Sequence, residues 1–359
     1  MAELGERPIV IAGQPKARHF DKLRPQIQAL LDKYPGLASY YSITPEPEAS
    51  MHELYEHVQK DALLALVGGD GTFHHMVRNL LREHPDKYQY LPSTLLAFCG
   101  SGGQSDIPRE LHGPNYANLA RILEGNEILI PSLEIAYTDP SGQQMTKHGI
   151  YSFGLNIIGE GAEMANHDWF RQLQRGIGKI PGPLDRLPID KMADLALAAV
   201  LLGQSKGRRI TLNGETFPII AMIISSSNIM AGLWEFPERL DRRCFMASIM
   251  RYGWLKTPLY AASVLSGIPY EGLEDLQELT LYVEEPMTAE IDGEPFHLGV
   301  GPVTVKLGPD LRMLSTELEP GGSDKPLGPT RLGRFVLDIA SGLHLPESAL
   351  PFRNQLRIS

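Results

Sequence analysis

One short stretch constrains this chain more than any other. Val67-Gly68-Gly69-Asp70-Gly71-Thr72 joins the continuous apolar run Ala62–Val67 to a helical pattern from about Phe73 to Leu81. Glycines at a strand-to-helix turn let a backbone approach a phosphate with no Cβ in the way. The helix that follows offers unpaired N–H groups and the positive end of its dipole to that anion. Asp70 adds a carboxylate where a divalent cation must neutralise phosphate charge or a hydroxyl must be oriented. A tight structural turn would also need glycine for its backbone angles. Two successive glycines followed by Asp-Gly-Thr at a strand's carboxyl end favour nucleotide phosphate, because ligands of open α/β sheets bind at that end.

The surrounding third of the chain agrees. Pro8–Ala12 reads as a buried strand, and Leu23, Ile27, Leu30 and Leu31 fall on one face of a helix over Phe20–Tyr34. Ser93–Phe98 makes a further strand that runs into Gly100-Ser101-Gly102-Gly103-Gln104-Ser105-Asp106. Strands separated by helices imply parallel pairing, hence a doubly wound, Rossmann-like α/β domain over residues 1–132. Two glycine-rich loops at neighbouring strand ends would line one crevice and hold a triphosphate between them.

After about residue 130 the pattern changes to extended segments: Gly149–Ile158, Arg209–Leu212, Pro218–Ser225, Cys244–Met250 and Leu279–Val283. Asn213-Gly214 and Asp292-Gly293 mark antiparallel hairpins. Helical stretches are expected at about Lys191–Leu202 and Thr257–Leu265. The expectation is a β-rich, sandwich-like second domain over 133–318, with a cleft between the two. Residues 319–359 form a tail. There Leu332, Phe335, Val336, Ile339 and Leu343 give one apolar helical stripe, and five basic residues stand against two acidic from Lys325 onward. A helix docked on its own domain is the simpler reading of that stripe, and a membrane-surface helix the alternative. The basic residues Arg171, Arg175, Lys179, Arg186 and Lys191, mixed with three aspartates, suit a solvated surface or a headgroup contact.

Composition excludes other classes. A chain of 359 residues buries roughly three-quarters of its unfolded surface and needs no staples. A formal net charge of −10 argues against a general nucleic-acid binder. The two cysteines, Cys99 and Cys244, offer neither a zinc site nor a disulfide framework, and suit burial in a reducing compartment. The N-terminus lacks the basic start and apolar core of a signal peptide. The uncharged run Phe217–Trp234 is broken by Pro218, Ser225–Asn228 and Gly232, so it reads as a buried strand and turn rather than a transmembrane segment. A cytoplasmic protein is expected.

The motifs in their order resemble a family. Gly68-Gly69-Asp70-Gly71-Thr72 is similar to the signature of the diacylglycerol kinase, sphingosine kinase and bacterial lipid kinase superfamily. Gly102 to Arg109 resembles that family's second glycine loop, with Asp106 on its Asp. Phe153-Gly154-Leu155-Asn156 and Gly159-Glu160-Gly161 resemble the opening of its β-rich domain. Ser227-Asn228, Ala231-Gly232 and Leu240-Asp241 are similar to its central segment, and Ile291-Asp292-Gly293-Glu294 to its late Asp-Gly-Glu motif. The resemblance spans about residues 7–315.

It implies ATP-dependent phosphorylation of a lipid hydroxyl with magnesium (Mg2+), by an enzyme working at a membrane surface without crossing it. Diacylglycerol is the first expected acceptor, then ceramide or a sphingoid base. Gly68, Gly69, Asp70, Gly71, Thr72, Gly102, Gly103 and Ser105 would bind nucleotide, and Asp70 and Asp106 the metal. Asp292, with Glu294 beside it, is the base in bacterial members; sphingosine kinases place it at the position of Asp70, and both assignments stay open. A carboxylate within hydrogen-bond reach of the alcohol suits either. Without the family, Asp292-Gly293 is simply a hairpin turn.

The chain also departs from the pattern. Gly13-Gln14-Pro15 replaces the early Asn-Pro motif, Ser105 an Asn, Glu134 an Asp, and Asp241-Arg242-Arg243 an Asp-Asp-Gly. His74-His75 follows the first motif where Asn-Glu or His-Glu is usual. Adjacent helical residues point apart, so the two histidines are expected to serve separate surface or supporting roles, not to share a metal. The alternatives are an NAD kinase, which shares the first motif, and a nucleotide- or lipid-binding homologue without catalysis. Oligomeric state is left open, a homo-oligomer included.

Overall fold

The computed structural model describes residues 7–17, 19–43, 54, 61–82, 94–101, 106–166, 207–226, 229–230, 234–235, 244–252 and 272–316. The helices expected at Lys191–Leu202 and Thr257–Leu265, the basic stretch around Arg175, the segment Ser227–Asp241 in greater part and the tail lie outside them.

Four parallel strands form the first part: β1 (Ile9–Gly13), β2 (Ala38–Ser42), β3 (Leu63–Gly68) and β4 (Leu95–Gly100), in spatial order β2-β1-β3-β4. β1, β3 and β4 are buried along their whole length, which is why they read as unbroken apolar runs. Alternate residues feed two cores. Ile9, Ile11, Leu63, Ala65, Val67, Leu95 and Ala97 pack under helix α1 (Phe20–Lys33), which contributes Phe20, Leu23, Ile27 and Leu30. Val10, Ala12, Leu64, Leu66, Leu96 and Phe98 pack on the other face, against Phe73, Met76 and Val77 of helix α2 (Asp70–Arg82) and Ile107 and Leu111 of α3 (Asp106–His112). Helices on both faces of a parallel sheet are the doubly wound arrangement. A short helix α4 (Leu119–Leu123) follows, capped by the Asn118 side chain on the Arg121 N–H at 3.1 Å.

The rest is antiparallel. The strands are β5 (Asn126–Thr138), β6 (Gln144–Gly149), β7 (Ser152–Asn156), β8 (Arg208–Leu212), β9 (Glu215–Ser225), β10 (Ile229–Met230), β11 (Trp234–Glu235), β12 (Phe245–Arg251), β13 (Gly272–Leu276), β14 (Glu278–Val283), β15 (Met287–Ile291), β16 (Glu294–Leu298) and β17 (Gly301–Ser315). All but the small β10–β11 pair belong to the same sheet as β1–β4. β17 makes that continuity. It runs antiparallel to β5 from Val303 to Ser315, while its other edge passes from β14 to a parallel pairing of Arg312 and Met313 with β4.

The expected boundary at 132/133 lies inside β5, beside an irregularity. The β5–β17 register shifts between Leu307 and Asp310, where the Ser132 Oγ donates to the Pro309 carbonyl at 2.9 Å. A bulge there bends the strand pair. Beyond the bend the sheet curls round a third core, so that Tyr137 of β5 meets Phe296 of β16 with ring centroids 5.0 Å apart.

Both expected hairpins are present: β8–β9 turns at Asn213-Gly214 and β15–β16 at Asp292-Gly293, all four residues at positive φ. The strand expected over Gly149–Ile158 is shorter. It ends at Asn156, whose φ of 60° turns the chain and whose amide donates to the carbonyls of Ile219 (3.2 Å) and Ile220 (2.8 Å). A helix, α5 (Ile157–Asn166), starts at the next residue. At Gly159 it runs so close to β15 that a Cβ would lie 2.6 Å from the Ala289 nitrogen. Among the described residues, no helix is long and apolar enough to cross a membrane.

Candidate active site

The carboxyl ends of β1, β3 and β4 are tied into one cluster. The N–H of Gln14, just past β1, donates to the Val67 carbonyl at 2.9 Å; that of Ser101, just past β4, donates to Gly68 at 2.7 Å. Gly68 ends β3, and α2 begins two residues later at Asp70, not near Phe73 as the apolar spacing predicts. The Thr72 N–H returns to the Gly69 carbonyl at 2.9 Å to close the turn. A Cβ on Gly68 would stand 2.6 Å from both Cβ and Oγ1 of Thr72, so this position admits no side chain without a shift. The glycine turn therefore brings bare backbone to a helix N-terminus at the sheet's carboxyl edge.

Of the residues expected around it, Gly68, Gly69, Gly71 and Thr72 are in this turn. Asp70 and Asp106 each begin a helix, and nothing is described of their side chains. Gly102, Gly103 and Ser105 lie outside the described residues. Among the described residues no three His, Cys, Asp or Glu side chains are grouped to hold a metal ion.

The second half of the site arrives from the far end of the chain. Gly71, His74 and His75 occupy positions i, i+3 and i+4 of α2 and face the β15–β16 hairpin. A Cβ on Gly71 would lie 3.5 Å from Glu294 Oε1, and His75 Nε2 is 3.4 Å from the same oxygen. His74 Nδ1 is 2.9 Å from Asp292 Oδ2, with both side chains fully buried. The two rings lie edge to face, 5.8 Å apart, each on its own carboxylate. His74 is therefore a buried supporting residue, not a surface one.

Asp292 thus both turns the β15–β16 hairpin and meets α2 through His74. Its carboxylate is clasped by three successive backbone N–H groups at the β6–β7 turn: Ile150 at 2.6 Å to Oδ2, and Tyr151 at 3.0 Å and Ser152 at 2.9 Å to Oδ1. Gly149 makes room for this; a Cβ there would lie 3.0 Å from Oδ2. The same turn packs Ile150 and Tyr151 into the core beneath α2, with Phe73 and Phe98. Two residues earlier, Glu290 is 3% exposed, and its Oε2 accepts the Gly293 N–H. Burial pushes its carboxyl up to about 8, against that hydrogen bond and with help from the nearby Asp292 and Glu294 charges. Glu134, standing where the family has Asp, pairs with Lys306 across β5–β17 at 2.9 Å.

Sequence reasoning left His74 as a surface or supporting residue without naming its partner, and missed Glu290 and the 150–152 amides. The one available signal was position: His74 lies three residues after Gly71, on the face that carries the turn.

No protein-family profile matches the chain, and no curated relative matches it. Solved structures do. A diacylglycerol kinase from Bacillus anthracis superposes with a TM-score of 0.59 at 14% identity, over 87% of this chain and 97% of that one. A candidate diacylglycerol kinase from the same organism gives 0.60 at 15%, over 87% and 99%. A yeast NADH kinase bound to NADH gives 0.44 at 9%, over 87% and 84%. The fold is therefore that of the diacylglycerol kinase-like structures, from end to end of their chains.

Proposed function

We propose that this chain is a kinase that transfers the γ-phosphoryl group of ATP to a hydroxyl of a neutral or amphiphilic lipid, diacylglycerol first. The observation that carries the reading is the juxtaposition at α2. Its N-terminal glycine turn offers bare backbone for a phosphate, and one turn further on the same helix pairs His74 with Asp292 at 2.9 Å. A phosphoryl acceptor and its phosphoryl donor would thus meet at one end of one helix. The fold shared with the Bacillus anthracis structures supports this, as does the family order of the motifs.

In this reading Gly68, Gly69, Asp70, Gly71 and Thr72 cradle the phosphates together with Gly102, Gly103 and Ser105, and Asp70 and Asp106 hold magnesium. The backbone N–H groups of the turn stabilise charge spread over the transferring group. The lipid would enter from the antiparallel part, residues 133–318, with the protein seated peripherally on a membrane. The parallel part, 1–132, would hold the nucleotide.

Phosphate transfer from γ-labelled ATP with magnesium to diacylglycerol, ceramide, sphingosine and phosphatidylglycerol in mixed micelles tests this, with NAD as a further acceptor. A labelled lipid that is lost in Asp70→Ala is the expected result. Labelled NAD alone would replace the reading by an NAD kinase, and ATP binding with no labelled acceptor by a non-catalytic binder.

A further inference from the structure

Helices α1 and α4 pack side by side on the face of the parallel sheet away from α2, and a groove of about 270 Å3 runs between them. Gln26, Ala29, Leu30 and Lys33 of α1 line it at positions i, i+3, i+4 and i+7, opposite Ala120 and Leu123 of α4. Leu30 and Leu123 form a buried floor, while Ala29 and Ala120 are exposed and, being small, leave the groove open. Gln26 fixes its shape: Oε1 accepts the Leu119 N–H at 2.9 Å, and Nε2 donates to the Ala117 carbonyl at 3.4 Å. An apolar cavity of about 150 Å3 holds a benzene molecule. This groove therefore has room for a phenyl ring and part of a neighbouring side chain.

We propose that this groove is the seat of the chain's own C-terminal tail: residues 331–343 form a helix that lies along α1 and α4, with Phe335 in the groove. The docking does not depend on the kinase reading. Where the chain ends its last strand supports it. β17 stops at Ser315, and Gly125 stands so close that a Cβ on it would lie 2.6 Å from the Ser315 carbonyl oxygen. Gly125 follows Glu124, which lines the groove, so the chain leaves the sheet beside α4 with residues 317–359 to follow. There Leu332, Phe335, Val336, Ile339 and Leu343 fall within about 100° of one helical face. These are the i, i+3, i+4 and i+7 anchors that a helix presents to a groove, and they match the set on α1. Arg331, Arg334 and Asp338 fall on the other side, two basic residues against one acidic, so an anionic lipid surface gains only about 1 kcal/mol from their charge. Residues 317–331 are the tether. A flexible linker of that length spans roughly 20 Å on average. It holds the helix at an effective concentration of about millimolar, so even a weak fit fills the groove ahead of a second copy of the chain.

Hydrogen exchange of the full-length chain, read by mass spectrometry without lipid, tests the docking. Amides of 331–343 should exchange about tenfold more slowly in the wild type than in Phe335→Ser. Ala120→Arg, which blocks the groove from its exposed rim, should remove the same protection, while Ser141→Arg on the exposed β5–β6 turn should leave it in place. Should Ala120→Arg fail to fold, Ala29→Arg on the facing helix replaces it. A second measurement identifies the occupant. Both native cysteines are buried, so under mild oxidation Ala120→Cys with Ala340→Cys should close a disulfide within one chain about tenfold faster than Ser141→Cys with Ala340→Cys. Unprotected amides in 331–343, protection that survives a folded groove variant, or equal rates of closure at positions 120 and 141 overturn the proposal. Protection that arises only with phosphatidylglycerol vesicles replaces it by a membrane-surface helix. A disulfide formed only between two chains replaces it by exchange of tails in a dimer.

Discussion

Glu290 makes the stability of this protein fall with pH, and the size of the effect follows from its environment. The carboxyl is buried on β15 and, among the described residues, accepts the Gly293 N–H. Burial raises it from 4.5 to about 8. Between those two values the folded protein holds a proton that the unfolded chain has released, so stability drops as pH rises, by about 1.4 kcal/mol per pH unit. Below the unfolded value the penalty is absent, and above about 8 it is constant at roughly 5 kcal/mol. At pH 7 it amounts to roughly 3 kcal/mol. Glu290→Gln keeps an acceptor for Gly293 and carries no charge to bury. Urea unfolding of both proteins should therefore show little difference near pH 5 and a more stable glutamine variant near pH 8. The comparison matters because buried His112 and half-buried His148 act in the opposite sense at acid pH and cancel between the two proteins. A stability difference independent of pH, or a glutamine variant that is the weaker one at pH 8, would refute the reasoning.

Three further outcomes follow from the same geometry. Gly68→Ala places a Cβ 2.6 Å from the Thr72 side chain, and should cost about 1–3 kcal/mol in urea unfolding and weaken ATP binding by calorimetry; a neutral effect on both would show that the turn relaxes freely. His112 is buried and takes the Thr316 N–H at Nδ1 (3.3 Å), and burial lowers it from 6.5 to about 4. Its stabilising effect is complete above pH 6.5 and is lost as pH falls through that window, so His112→Gln should lose less stability than the wild type between pH 6.5 and 4.5; equal losses would refute it. Burial pushes the Cys99 thiol up to about 12, so iodoacetamide at pH 8 should leave Cys99 unlabelled in folded protein and label it in urea; labelling without denaturant would contradict its burial.

What is legible in the sequence follows from how each element is buried. β1, β3 and β4 lie under helices on both faces and announce themselves as apolar runs. β2 is an edge strand, Ala-Ser-Tyr-Tyr-Ser, half exposed, and carries no such signal. β17 reads only in pieces because Gly308-Pro309 looks like an interruption, yet the strand continues through it on the Ser132 hydrogen bond. α5 is hidden by Gly159 and Gly161, which weaken a helical pattern that packing against β15 restores. The glycine turn is legible because its chemistry is local. The clasp on Asp292 is not, because its donors lie 140 to 142 residues upstream and its histidine 218. Only the sheet that unites the two parts, through β5 and β17, brings those segments together.

That long-range clasp changes what a variant at Asp292 can mean. The carboxylate joins the hairpin, the β6–β7 turn and α2, so it holds the parallel part to the antiparallel part at the point where the chemistry is proposed. Asp292→Ala would leave three buried N–H groups and one imidazole N–H without an acceptor, each costing about 1–3 kcal/mol. Inactivity of that variant would follow from misplacement of α2 as readily as from loss of a base. His74→Ala removes a single donor from Asp292 and leaves its three backbone amides in place. Its unfolding curve should therefore stay much closer to the wild type than that of Asp292→Ala. Equal destabilisation of both variants would show that the histidine is as structural as the carboxylate.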